Sequence, residues 1–125
     1  MDLPEGTLRL FWRLGGEDGH TPIHEPDVLV WAGWLEMTAE LPSERSVGYE
    51  QVGDRVVSTA FLGMAMGISG MWGTPPLLFE TAIFTLAGEG LAAVDLAGRY
   101  STWDEAAAGH AVVVARLQAG GDEDA

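Results

Sequence analysis

Cysteine is missing from this 125-residue chain, and so is lysine. Without cysteine there is no disulfide framework, no thiolate nucleophile and no cysteine-based zinc site, which fits a reducing cytosol. Without lysine, six arginines face nineteen acids, and the formal net charge is -13. Such a chain is repelled by phosphate backbones and anionic membranes, so direct nucleic-acid binding is not expected. Two readings of the charge stay open: a solubilising surface, or an acidic mimic of nucleic acid that occupies a basic groove. The acids are scattered singly apart from Asp122-Glu123-Asp124, whereas mimicry wants dense rows.

Long clean helical runs of apolar residues are also scarce. No charge falls between Arg55 and Glu80, a stretch long enough to cross a bilayer. Gly63, Gly67, Gly70 and Gly73, followed by Pro75-Pro76, make a poor continuous helix there, and no basic cluster flanks it. No membrane span is expected, and acidic Met1-Asp2-Leu3-Pro4-Glu5 does not read as a signal peptide.

What remains is a composition of 47% hydrophobic and 20% charged residues, that of a globular domain. Residues 1–120 read as one domain and 121–125 as a disordered acidic tail. Thr7 to Leu14 alternates, with Leu8, Leu10, Trp12 and Leu14 on one side, as a half-buried strand does. Gly15 to Gly19 reads as a turn. Pro26 and Asp27 open a helix whose apolar face carries Val28, Trp31, Trp34 and Leu35. Val47–Val52 and Val56–Leu62 flank Gly53-Asp54-Arg55 as a hairpin, and Leu77–Phe84 adds a strand. Gly63 to Pro76 is a loop rich in methionine, glycine and tryptophan. Ala87 to Ala97 is expected to be a loop with a weak helical turn, since Gly88 and Gly90 depress regular structure. Thr102 followed by Glu105 is a capping box, opening a helix to about Gln118 that Ala119-Gly120-Gly121 ends. The expected fold is α+β: an antiparallel sheet of three to five strands against the C-terminal helix, with a short helix nearer the N-terminus.

Several strings occur together: Val57-Ser58-Thr59-Ala60-Phe61-Leu62-Gly63, Pro75-Pro76-Leu77-Leu78-Phe79-Glu80-Thr81, Arg99-Tyr100-Ser101-Thr102-Trp103-Asp104-Glu105-Ala106 and Gly109-His110. With Gly19-His20-Thr21-Pro22-Ile23 and Trp31…Trp34 upstream, the chain resembles a family of small uncharacterised proteins encoded by tailed phages and prophages. The resemblance covers roughly residues 8 to 115 and implies a phage accessory protein made in the bacterial cytoplasm. After Leu62-Gly63 that family tends to carry an Asp-His pair, and this chain has Met64-Ala65-Met66 instead.

Candidate chemistry is sparse. Glu80 interrupts the apolar strand around it, and Arg99 or His110 is its expected partner. Trp103, Ala106, His110, Val113 or Val114, and Leu117 form one helical stripe, which turns His110 toward the sheet. A Glu80/His110 pair could do acid–base work or fix helix to sheet. His20 and His24 have a spacing seen among metal ligands, with Glu25 adjacent, but Pro22 intervenes and too few ligands accompany them. No metal or cofactor is expected, and the glycine-rich loops lack P-loop and dinucleotide signatures. Met64, Met66, Met71 and Trp72 make adaptable apolar surface, a binding site or extra core. The function these residues suggest is a non-enzymatic binding module, a homo-oligomer that also engages a host protein or small ligand. A small enzyme built on Glu80, His110 and Arg99 is the alternative.

Overall fold

The computed structural model describes residues 9–39, 44–66, 69–70, 74–88 and 90–120. Met71, Trp72 and the acidic tail therefore lie outside the described residues. The fold is α+β, in the order β1 (Trp12–Gly15), β2 (Thr21–His24), α1 (Val28–Ala39), β3 (Ser46–Val52), β4 (Arg55–Phe61), β5 (Phe79–Ala87), β6 (Gly90–Tyr100) and α2 (Trp103–Gln118). β1 and β2 form a small antiparallel ribbon, and β3-β4-β5-β6 form a four-stranded antiparallel meander in that spatial order.

Local chemistry sets most of these boundaries. The β1–β2 connection needs Gly16 and Gly19 at φ 83° and 76°, in the left-handed region open to glycine. β2 has only four residues and holds Pro22 opposite Leu14, so its sequence carried little strand signal. Asp27 caps α1 by accepting from the Leu29 and Val30 amides at 2.9 and 3.3 Å. Gly53-Asp54 turns β3 into β4, and Val52 pairs directly with Arg55.

The expectation of a loop with a weak helical turn at Ala87 to Ala97 is corrected: this stretch is strand. β6 runs eleven residues and pairs with β5 from Ala87↔Gly90 to Phe79↔Tyr100. The glycines that argued against regular structure serve the reversal itself, Gly88 standing at φ 59° in the turn. At the far end Thr102 Oγ1 accepts the Glu105 amide (3.1 Å), while the Glu105 carboxylate takes the Ser101 amide (3.2 Å). α2 thus starts on a capping box shifted by one residue on its return arm.

α2 lies across one face of the sheet and touches all four strands. Its buried residues are Ala106, His110, Val113 and Val114, the stripe expected from the sequence. Val113 and Val114 pack on Val57, with Val52, Ile83, Ala97 and Leu117 around them. A second cluster gathers Leu14, Phe61, Ala65, Leu78, Phe79 and Ala106 where sheet, ribbon and helices meet. Phe61 and Phe79 meet edge to face at 5.1 Å, and each fully buried side chain of this size contributes about 1.5–3 kcal/mol. α1 rests on β1 and reaches the core through Trp34, whose ring meets Phe61 at 5.9 Å. Its inner side carries Trp31, Trp34 and Leu35 as expected, with Thr38 buried beside them, but Val28 turns outward. No described helix is long and apolar enough to cross a membrane.

Candidate functional site

Alternation along β4 and β5 decides which polar side chains can meet. Thr59 and Thr81 are cross-strand partners facing α2, while Ala60 and Glu80 are partners on the opposite face. Glu80 therefore does not approach His110. It pairs with its β6 neighbour Arg99, Nε to Oε2 at 3.1 Å, on the face away from α2. Of the three candidate residues, the structure brings Glu80 and Arg99 together and places His110 elsewhere.

His110 sits at the centre of a different set. Its Nδ1 lies 2.7 Å from Thr59 Oγ1, and Thr59 Oγ1 lies 2.6 Å from Thr81 Oγ1. Tyr100 donates its hydroxyl to Thr81 at 3.1 Å, and His110 Nε2 meets Glu50 Oε1 at 3.0 Å. One order of donors gives every hydroxyl in these five residues an acceptor. Tyr100 donates to Thr81, Thr81 to Thr59 and Thr59 to Nδ1, leaving Nε2–H to donate to the Glu50 carboxylate. The network so assigns the imidazole its Nε2–H tautomer.

Space for this row is cut from the backbone by glycine. A Cβ on Gly48 of β3 would stand 2.6 Å from the His110 ring, and one on Gly98 or Gly109 would collide with the Tyr100 ring. The imidazole lies flat across β3 because Gly48 has no side chain, and its edge then reaches Glu50 two residues on. Sequence reasoning found His110 and missed Thr59, Thr81, Tyr100, Glu50 and Gly48. Threonine alternating in a strand reads simply as β-propensity, and Glu50 lies 60 residues from His110.

Hydroxyl, imidazole and carboxylate in this order resemble a nucleophile, base and orienting acid. Accessibility argues otherwise. Thr59 and Thr81 are both 0% exposed and His110 is 7% exposed, so no carbonyl can reach the hydroxyl. The arrangement binds helix to sheet.

The remaining sequence candidates separate. His20 stacks on Trp103 with ring centroids 3.6 Å apart and planes within 3°. His24 packs against Trp12 at 5.4 Å, and its pKa is lowered, first by burial and then by the Arg9 charge, with Glu25 opposing. Four residues of extended chain hold the two histidines about 13 Å apart. Glu25 is committed to Arg13 at 3.1 Å. Among the described residues no three potential ligands gather as a metal site. In the methionine loop, Ala65 is buried and Met66 half-buried, with the Met66 amide bonded to the Leu77 carbonyl at 3.0 Å. Met64 bridges to Phe11 and is 38% exposed. The described part of that loop is thus partly core and partly surface.

Comparison with protein-family models, with curated proteins and with solved structures finds no match.

Two features outside the buried row reach solvent. One is the outer face of α1, where Val28, Leu29, Val30 and Met37 are exposed, Leu29 at 80%. Glu36 is the one charged residue from Val28 to Ala39. The other is a cleft of about 440 Å³ between ribbon and helices, lined by Leu14, Asp18, Gly19, His20, Trp34, Glu44, Ser46 and Trp103.

Proposed function

We propose that this chain is a non-enzymatic binding module that works as a homo-oligomer, in keeping with the phage accessory role its sequence strings suggest. The observation that carries the reading is the outer face of α1. Leu29, Gly33 and Met37 recur at a spacing of four and share one side with Val30, while Trp31, Trp34 and Leu35 hold the helix from beneath. A helix apolar on both sides is ordinarily covered on both. The wall beyond its inner side is β1, and among the described residues none covers its outer side.

A second copy of the same chain fits this seam. An antiparallel crossing of two α1 helices at Gly33 lays Leu29 of one copy against Met37 of the other, the self-complementary arrangement of a two-fold interface. Gly33 leaves open space for the approach, since a Cβ there would meet nothing within 4 Å. Net repulsion between acidic chains is screened beyond about 8 Å at physiological salt, and from Val28 to Ala39 the helix itself carries a single charge, Glu36. Met64 lies toward the inner side of α1, since Phe11 bridges to Met64 and its ring lies 4.6 Å from that of Trp31. Through the oligomer the module presents its remaining surface twice to a host protein or ligand.

Light scattering across a dilution series tests this. The wild type is expected to run at a multiple of 13.3 kDa, and Leu29→Glu with Met37→Glu is expected to run as one chain with the fold retained. A wild-type mass of a single chain at every concentration overturns the reading.

A further inference from the structure

The cleft between the β1–β2 ribbon, α1 and the start of α2 belongs neither to the buried row nor to the α1 seam. Leu14 forms its buried base, and Trp34 and Trp103 are half-buried in its walls. Both indoles are fixed by the core: Trp34 meets Phe61 edge to face at 5.9 Å, and Trp103 meets Phe79 at 6.2 Å. His20 stacks on Trp103 and holds it from the ribbon side. Asp18 and Glu44 stand exposed at the rim, and among the described residues no arginine lines the space.

Two rigid indoles and two carboxylates make a site of definite chemistry, in which His20, its Nδ1 3.8 Å from Asp18 Oδ2, is the one lining side chain able to become a cation by taking up a proton. Aromatic faces attract positive charge through their quadrupole, and more so when the cation carries a hydrocarbon shell that sheds water readily. Carboxylates at the rim add attraction without demanding a bidentate fit, and the surplus of acids over the whole chain raises the local concentration of cations. A bare metal ion is poorly served, since the described residues gather no set of three ligands. An anionic ligand meets the repulsion of both rim carboxylates. The volume, about 440 Å³, suits a small molecule.

We infer that this cleft binds a compact organic cation of the alkylammonium class, held between Trp34 and Trp103 with Asp18 and Glu44 supplying the counter-charge. The inference stands apart from the oligomer reading, because none of these residues lies on the outer face of α1.

The test uses the full chain and follows tryptophan indole N–H signals by nitrogen–proton correlation NMR. Choline is the probe, and its uncharged carbon isostere dimethylbutanol is the control. Choline is expected to shift the Trp34 and Trp103 signals saturably. Trp12 and Trp31 should stay still, their N–H groups being engaged by the Arg9, Trp12 and Gly63 carbonyls. The alcohol is expected to bind at least about tenfold more weakly. Asp18→Asn with Glu44→Gln should remove about that tenfold preference for choline. The Asp18 change keeps the oxygen that accepts the His20 amide at 2.9 Å, so the loop is preserved. Equal affinity for choline and the alcohol, shifts that never saturate, or shifts spread evenly over all tryptophans would overturn the proposal.

Discussion

The two faces of the four-stranded sheet each carry a charged or polar pairing across strands, and the pairings differ in kind. Under α2 lie Thr59, Thr81 and His110, buried from water, with half-buried Tyr100, all bonded in one continuous row to Glu50. On the opposite face Tyr49, Ser58, Ala82 and Leu96 line up across all four strands, with the Glu80–Arg99 bridge beside them. There Tyr49 and Leu96 are exposed, and the Arg99 side chain keeps 40% of its surface in water. Water is the difference. An ion pair that solvent can replace contributes about 0–1 kcal/mol, whereas a buried hydroxyl stripped of its partner costs about 1–3 kcal/mol. The face with the Glu80–Arg99 bridge is therefore the more tolerant one.

Substitutions can break this contrast at three depths. His110→Ala strikes hardest, because it takes away the acceptor of the Thr59 hydroxyl proton, leaving Thr59 only its bond to Thr81, and opens a cavity where the ring lay; a loss of about 3–4 kcal/mol is expected in urea unfolding. Gly48→Ala comes next. Its φ is not in the left-handed region, so the expected loss of about 1–3 kcal/mol comes from crowding the His110 ring alone. Adding His110→Ala to Gly48→Ala should remove that crowding cost, and a double-mutant cycle showing simple additivity would refute the assigned contact. Smallest is Glu80→Gln, which leaves the opposite face otherwise intact and is expected to cost under about 1 kcal/mol, less still at high salt. A loss from Glu80→Gln matching that from His110→Ala would erase the distinction between the faces.

How far the sequence foretold these faces follows from the range of the interactions involved. The start of α2 was legible because Thr102 and Glu105 stand three residues apart and solve a local problem, the unbonded amides of a helix terminus. The inward turn of His110 was legible from helical periodicity. Its acid was not, because Glu80 and Glu50 are both strand residues and only the pairing register tells which of them faces the helix. Glu80 keeps company with Ala60 and Arg99, Glu50 with Val57. β6 was hidden for a related reason: glycine marks a reversal and a weak strand alike, and the partner strand decides between them. The cleft could not be read at all, since His20, Glu44 and Trp103 come together only through packing of the ribbon on the core.

The irregularities of pairing are distributed unevenly, and this bears on how the protein avoids polymerising. β4 and β5, the inner strands, pair without a break from Arg55↔Thr85 to Phe61↔Phe79. Register shifts occur only where outer strands join, near Ser46 and Gly48 on β3 and twice along β6. Each shift inserts an extra residue and bends the strand, so its free amides and carbonyls no longer form a straight row. An incoming strand from a neighbouring molecule would find its hydrogen bonds in step for only a few residues before losing them. Against cross-β stacking, which needs long flat edges, the meander is thus guarded at both rims by its own defects.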